Sequence, residues 1–270
     1  MNDDFYVGWS SEAPKGYNRK AMLFFAVALL SLVVIAIVYV RSEKGFVDSL
    51  YEFGTLQEVS GELVEHPAWG IKTSQFGEEK TVLLVGFGKA GAGETLKSIV
   101  NKNNLMFGQQ VTLRGQVFHF QDKYGMELTA MEESFVSAEN RDVTARNIKD
   151  LGRLTLEGEI VDPKCFFGVM DPATKAVHRS CAVRCISGGI PPVLAIRENG
   201  VFVDYYILNS KIEDLSKEIL PMVGVPVTLS GRVTQYDDWK ALEVSPADIQ
   251  LVAQSNEEPG LTAGIAMCGR

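Results

Sequence analysis

The chain lacks an excess of basic charge. Its 26 lysines and arginines are outnumbered by 34 aspartates and glutamates, for a net charge of −8. Phosphate contacts need a basic face, so this balance argues against a nucleic-acid partner. Four cysteines in 270 residues do not make a disulfide-dense scaffold. There is no C-x-x-C pair. There is no Ser-His-Asp grouping and no trustworthy carboxylate pair, which removes the usual signatures of a hydrolase or transferase site. The glycine-rich GFGKAGAGE from Gly86 lacks the G-x-x-x-x-G-K-[ST] order, and its Lys89 comes too early for a phosphate-binding loop. A flexible loop is expected there.

What is present begins with one long apolar run. AMLFFAVALLSLVVIAIVYV, Ala21 to Val40, is 20 residues without a charge, interrupted only by Ser31. At the helical rise it spans about 30 Å, the thickness of a bilayer core. Arg41, Ser42, Glu43 and Lys44 follow in place of a small-residue cleavage site, so the helix reads as a retained single-pass anchor rather than a signal peptide. Lys15, Arg19 and Lys20 precede it, against Arg41 and Lys44 after it. That slight excess favours an N-terminus inside and the bulk of the chain outside the cytoplasm, in a bacterium the periplasmic side of the inner membrane. The tail 1–20 carries Phe5, Tyr6, Trp9 and Tyr17. These suit a membrane interface, or a docking contact with a neighbouring membrane-protein subunit.

Past the anchor the chain repeats itself. GELVEHP at Gly61 returns as GEIVDP at Gly158, and GQQVTLRGQV at Gly108 returns as GVPVTLSGRV at Gly224. The second copy is 19 residues longer between these landmarks, and Cys165 to Cys185 falls in that interval. In the first copy, alternation and apolar runs predict strands at LQEVSGELVEH, near Ile71 to Phe76, and at TVLLVGF. A helix follows at ETLKSIVNKNN, then two strands at VTLRGQVFHF and MELTAMEESFV. The second copy gives RLTLEGEIV, the cysteine stretch, a hairpin turning at Asn199-Gly200, a helix at SKIEDLSKEIL and two closing strands.

This order, with V-T-L-x-G on the strand after the helix, resembles the OB-fold, a small five-stranded barrel. The resemblance implies a mainly β chain with short helices: an N-terminal transmembrane helix, then two OB-like barrels in tandem over 55–137 and 152–253. The cysteine stretch is an insertion at 163–190, and 254–270 is a flexible tail. Neither copy has the basic groove with stacking aromatics that single strands need. The anchor and the C…H…CAxxCxxxGxPP stretch together resemble uncharacterised bacterial membrane-anchored proteins. A membrane-anchored OB-fold is also similar to the haem chaperone of cytochrome c maturation, which uses an H-x-x-x-Y pattern. Here Tyr124 lies five residues after His119, one too many, and no residue is carried over.

The chemistry is concentrated in CFFGVMDPATKAVHRSCAVRC, Cys165 to Cys185. HRSCAVRCISGG reads as a short helix ended by Gly188-Gly189 and the prolines that follow. On it, His178, Cys181 and Cys185 are spaced by three and four residues, along one stripe. Cys165 arrives from the preceding strand and Met170 lies on the loop between. Cysteine and histidine at this spacing suit zinc. A thioether from Met170 shifts the preference to copper(I). Cys181 and Cys185 are also a thiol–disulfide candidate. The copper-delivery proteins of oxidase assembly have a similar C-x-x-x-C, on a thioredoxin-like scaffold absent here. The plainer expectation is a disulfide from Cys165 to Cys181 or Cys185, stapling the insertion for about 2–4 kcal/mol, with a remaining cysteine paired to Cys268. His66 reads as a surface or groove residue and His119 as a sheet position. The sequence therefore suggests an accessory protein or subunit of a membrane redox complex, holding copper or zinc at Cys165, His178, Cys181 and Cys185. The alternative is a non-catalytic interaction module with disulfide-stapled cysteines.

Overall fold

The long apolar run forms α1 (Lys15–Ser42). A helix that is apolar all round has no core-facing stripe, and Leu23, Phe24, Leu29, Leu30 and Val40 all point outward. It is long and apolar enough to cross a membrane. The computed structural model describes residues 15–42, 49–129, 131–139, 146–168, 170–210 and 215–252. Cys268 and most of the N-terminal aromatic tail lie outside the described residues.

The described residues between 49 and 252 form a compact unit of their own. It holds β1 (Ser49–Tyr51), β2 (Gln57–Val64), β3 (Gly70–Thr73), β4 (Lys80–Val85), α2 (Gly93–Asn103), β5 (Gln110–Phe120), β6 (Lys123–Leu128) and β7 (Phe135–Glu139). Strands β2 to β6 close on themselves: β5 pairs both β2 and β6, and β4 runs parallel to β6. The second sheet follows the same plan. Its elements are β8 (Ile148–Val161), α3 (Pro163–Phe167), α4 (Lys175–Ser187), β9 (Val193–Glu198), β10 (Val201–Asn209), α5 (Leu215–Glu218), β11 (Pro226–Tyr236), β12 (Trp239–Glu243) and β13 (Ile249–Leu251). Here β11 pairs both β8 and β12, and β10 runs parallel to β12. The chain is thus mainly β, an apolar helix followed by two tandem barrel-like sheets.

The repeated V-T-L-x-G has a packing cause. A Cβ on Gly115 would sit 2.4 Å from the Glu127 carbonyl oxygen, and one on Gly231 would sit 2.2 Å from that of Glu243. In each barrel the strand after the helix crosses its hairpin partner too closely for a side chain. The hairpin at Asn199-Gly200 forms as expected, both residues having positive φ (50° and 81°) and joining β9 to β10. Of the helix expected over 210–220, the described part is the single turn α5.

Each barrel is filled from inside and plugged by a helix. In the first, Val59, Ile71, Leu84, Leu113 and Met126 meet Leu96 and Ile99 of α2. In the second, Leu194, Leu208, Val227, Leu229 and Leu242 meet Leu215 and Ile219, and also Ala182 and Ile186 of α4. A third apolar cluster joins the two: Leu83, Val85 and Phe118 from the first barrel pack with Phe166, Phe167, Tyr205 and Trp239 from the second. Polar ties rim it. Trp239 donates its indole N–H to the Thr81 carbonyl (2.8 Å), and Lys123 donates to that of Asp238 (2.7 Å). Burial of this much aromatic area helps hold the two barrels together.

Candidate metal centre

The cysteine insertion is the connection between β8 and β9, and it lies on the seam. At its start, Pro163 occupies the first turn of α3, where a missing N–H costs nothing. Asp162 caps that turn, its Oδ1 accepting the Cys165 N–H at 2.9 Å. Phe166 and Phe167 anchor α3 in the aromatic cluster, which fixes Cys165 beside it. Glu159 accepts the first N–H of α4, from Lys175, at 2.5 Å. A carboxylate at a helix N-terminus is favourably placed. The helix ends at Gly188 and Gly189, the latter at φ +96°.

The expected stripe on α4 forms. His178 and Cys185 are buried along with Ala182 and Ile186, while Cys181 stays partly open. Cys165 meets them from α3. The Sγ atoms of Cys165 and Cys181 are 3.8 Å apart. Metal–sulfur bonds of about 2.3 Å in a tetrahedral shell place two sulfurs about 3.8 Å apart. Two donor groups share Cys165: one with His178 and Cys181, the other with Asp162 and Cys185, each with its donor atoms within 4.8 Å of one another. The Cys/His cluster can therefore hold a metal ion. Among the described residues the three cysteines are free thiols, with no pair at bonding distance.

Two buried polar atoms point the same way. Asp162 is fully enclosed and spends only Oδ1 on its cap. Its Oδ2 faces His178 Nε2 at 3.5 Å, and neither atom makes a hydrogen bond. Buried groups without partners are costly, and the Asp162 carboxylate behind the His178 ring leaves the other ring nitrogen as the one to meet a cation. A hydrogen bond to Cys185, reinforced by burial, pushes the Cys165 thiol far up. Accepting that bond pulls Cys185 down. Thiols must give up their protons to bind a metal ion.

Met170 donates its backbone N–H to the Cys165 carbonyl (3.3 Å), and its side chain is half exposed. His66 is exposed and carries its ring 6.4 Å from that of Tyr236. His119 sits on β5 as expected, stacked on Tyr124 at 5.2 Å, with its Nδ1 buried and unpartnered.

Two residues of the site were not anticipated. Asp162 is one; an Asp-Pro pair ahead of a short helix is an N-cap signal, but nothing in it points to a metal. Lys89 is the other. Its ammonium donates to Cys181 Sγ at 2.9 Å, a contact that raises the Lys89 pKa. The glycine-rich loop carrying it is clamped rather than free. Gly91 N–H donates to the Gly188 carbonyl (2.8 Å) and Gly88 N–H to Glu127 (2.8 Å). Lys164 donates to the Gly86 and Gly88 carbonyls and pairs with Glu127. A Cβ on Gly188 would lie 2.0 Å from the Lys89 carbonyl oxygen, so the loop packs directly on the end of α4.

No protein-family model matches the chain, and a search of curated proteins finds no relative.

Proposed function

We propose that this is a membrane-anchored accessory protein or subunit of a membrane redox complex that binds a soft metal ion, copper before zinc. Cys165, His178, Cys181 and Cys185 are the ligands, and Met170 is a candidate thioether ligand. Asp162 orients His178. The observation that carries the reading is the pair of donor groups that meet at Cys165, His178 and Cys181 in one and Asp162 and Cys185 in the other. Three sulfurs with one nitrogen favour soft ions, and copper(I) tolerates a low-coordinate, sulfur-dominated shell. A ligating histidine backed by a carboxylate is a common arrangement that fixes the ring. The apolar helix anchors the chain, and the basic residues before it favour both barrels lying on the periplasmic side of the inner membrane. Partner subunits would meet the aromatic N-terminal tail.

Metal content of the full chain, purified in detergent from copper- and zinc-supplied cells, tests this. We expect about one ion per chain, copper exceeding zinc, and loss of that ion in Cys181→Ser with the fold retained. A metal-free wild type, or a Cys181→Ser variant with unchanged metal, overturns the reading.

A second reading has its own observation. The cysteines join the apolar seam between the barrels, a position that suits a purely structural role in an interaction module. In that case Cys181→Ser lowers the melting temperature and leaves metal content at zero throughout.

A further inference from the structure

The metal reading accounts for Cys181 as a ligand but gives Lys89 nothing to do. Lys89 is exposed, and it is brought from the other barrel, 92 residues away in sequence, to lie on one sulfur. Its loop is held by backbone bonds to Gly188 and by Lys164 and Glu127. The loop is therefore built to place an ammonium there. That contact holds the Cys181 sulfur at the open side of the cluster. The three sulfurs also differ in access. Cys185 is 1% exposed and out of reach of any substrate, whereas Cys181 is partly open. Cys165 stands 3.8 Å behind it, near enough to close a bond through side-chain rotation.

We propose that Cys181 is an exchange-competent thiol, that its substrate class is a disulfide, and that Cys165 is the resolving thiol. The Cys181 thiolate attacks one sulfur of the substrate disulfide. A bond forms to Cys181, the substrate's S–S bond breaks, and the departing sulfur takes a proton from water. Cys165 then attacks Cys181 Sγ, its proton passing to the departing substrate sulfur. The Cys165–Cys181 bond forms, the mixed disulfide breaks, and the second substrate sulfur leaves as a thiol. The substrate is reduced by two electrons and the Cys165/Cys181 pair is oxidised to a disulfide. Lys89 is a positioning residue in this scheme. Because the same sulfurs are metal ligands, disulfide and metal exclude each other; that competition rests on the metal reading above, while the exchange itself does not.

The test uses the full chain in detergent, reduced and stripped of metal, mixed with oxidised glutathione and followed by peptide mass mapping. The expected product is a Cys165–Cys181 cross-link. Cys165→Ser should instead trap glutathione on Cys181. Lys89→Met should slow the reaction about tenfold, with Lys89→Arg restoring it. A disulfide-bonded peptide run in parallel separates protein from small-molecule substrates by relative rate. Absence of the cross-link, a trapped adduct on Cys185, or an unchanged rate in Lys89→Met overturns the proposal. If Cys165→Ser does not fold, the wild-type cross-link and the surface variant Lys89→Met still decide. A chain that cross-links but binds no metal keeps this inference and sinks the metal reading. A chain that binds metal at these residues and never cross-links does the reverse.

Discussion

The two barrels share strand order, helix position and the glycine at their tightest crossing, yet they differ at one connection. Between β2 and β3 the chain takes the short route through residues 65–69. Between β8 and β9 it takes residues 162–192, with two helices and three thiols. The two connections start at equivalent repeat positions, Glu65 in one and Asp162 in the other. Glu65 is exposed, whereas Asp162 is enclosed and faces a buried imidazole. The barrel is a scaffold, and chemistry enters where one loop lengthens. The first barrel still contributes to the site, but by a different loop, the one carrying Lys89.

Substitutions at matched positions can break this comparison. The largest effect is expected from Cys165→Ser or Cys181→Ser, each lowering metal affinity by at least about 100-fold in a competitive chelator titration. His66→Ala in the short connection should leave it unchanged. If His66→Ala also abolishes binding, the two connections act together and the assignment to one loop is wrong.

Next is Asp162→Ala. Losing the cap costs about 1 kcal/mol, read as a lower melting temperature. Losing the carboxylate behind His178 costs about 10–100-fold in metal affinity. Glu65→Ala, its counterpart, should do neither.

The seam itself is tested by Gly188→Ala, whose Cβ would meet the Lys89 carbonyl at 2.0 Å. Backbone must move, at about 1–3 kcal/mol of stability by chemical denaturation. Gly93→Ala, with only the Trp69 indole nitrogen near, at 3.9 Å, should be silent or slightly stabilising.

The smallest effect is electrostatic. Burial raises the Glu159 pKa above its ordinary 4.5. A raised carboxylate pKa means the folded state holds its proton more tightly than the unfolded one. Its contribution is present below the ordinary value and lost as pH rises through the raised one. Glu159→Gln should flatten that part of a stability-versus-pH curve measured by denaturant melts.

Much of this architecture was legible before any coordinates. The Asn199-Gly200 turn and the repeated V-T-L-x-G took the expected form, as did most strands read from apolar periodicity, but the strand expected over 126–136 is broken by a turn at Met131–Ser134. His178, Cys181 and Cys185 were legible as a stripe because helical spacing is local. Asp162 was not, because its role comes from facing His178 across the fold. Lys89 was further from reach: its partner lies 92 residues away, and a glycine-rich loop looks flexible until its tertiary clamps are seen. The disulfide expected from Cys165 is not formed among the described residues, where its sulfur lies 3.8 Å from that of Cys181.

The central claim, a sulfur-rich metal centre in the long connection, is most directly tested by X-ray absorption at the metal edge of the purified full chain. The account predicts a shell of two or three sulfurs at about 2.3 Å with one imidazole nitrogen, and loss of one sulfur in Cys181→Ser. A shell of oxygen and nitrogen alone, or a spectrum unchanged by that substitution, would contradict it.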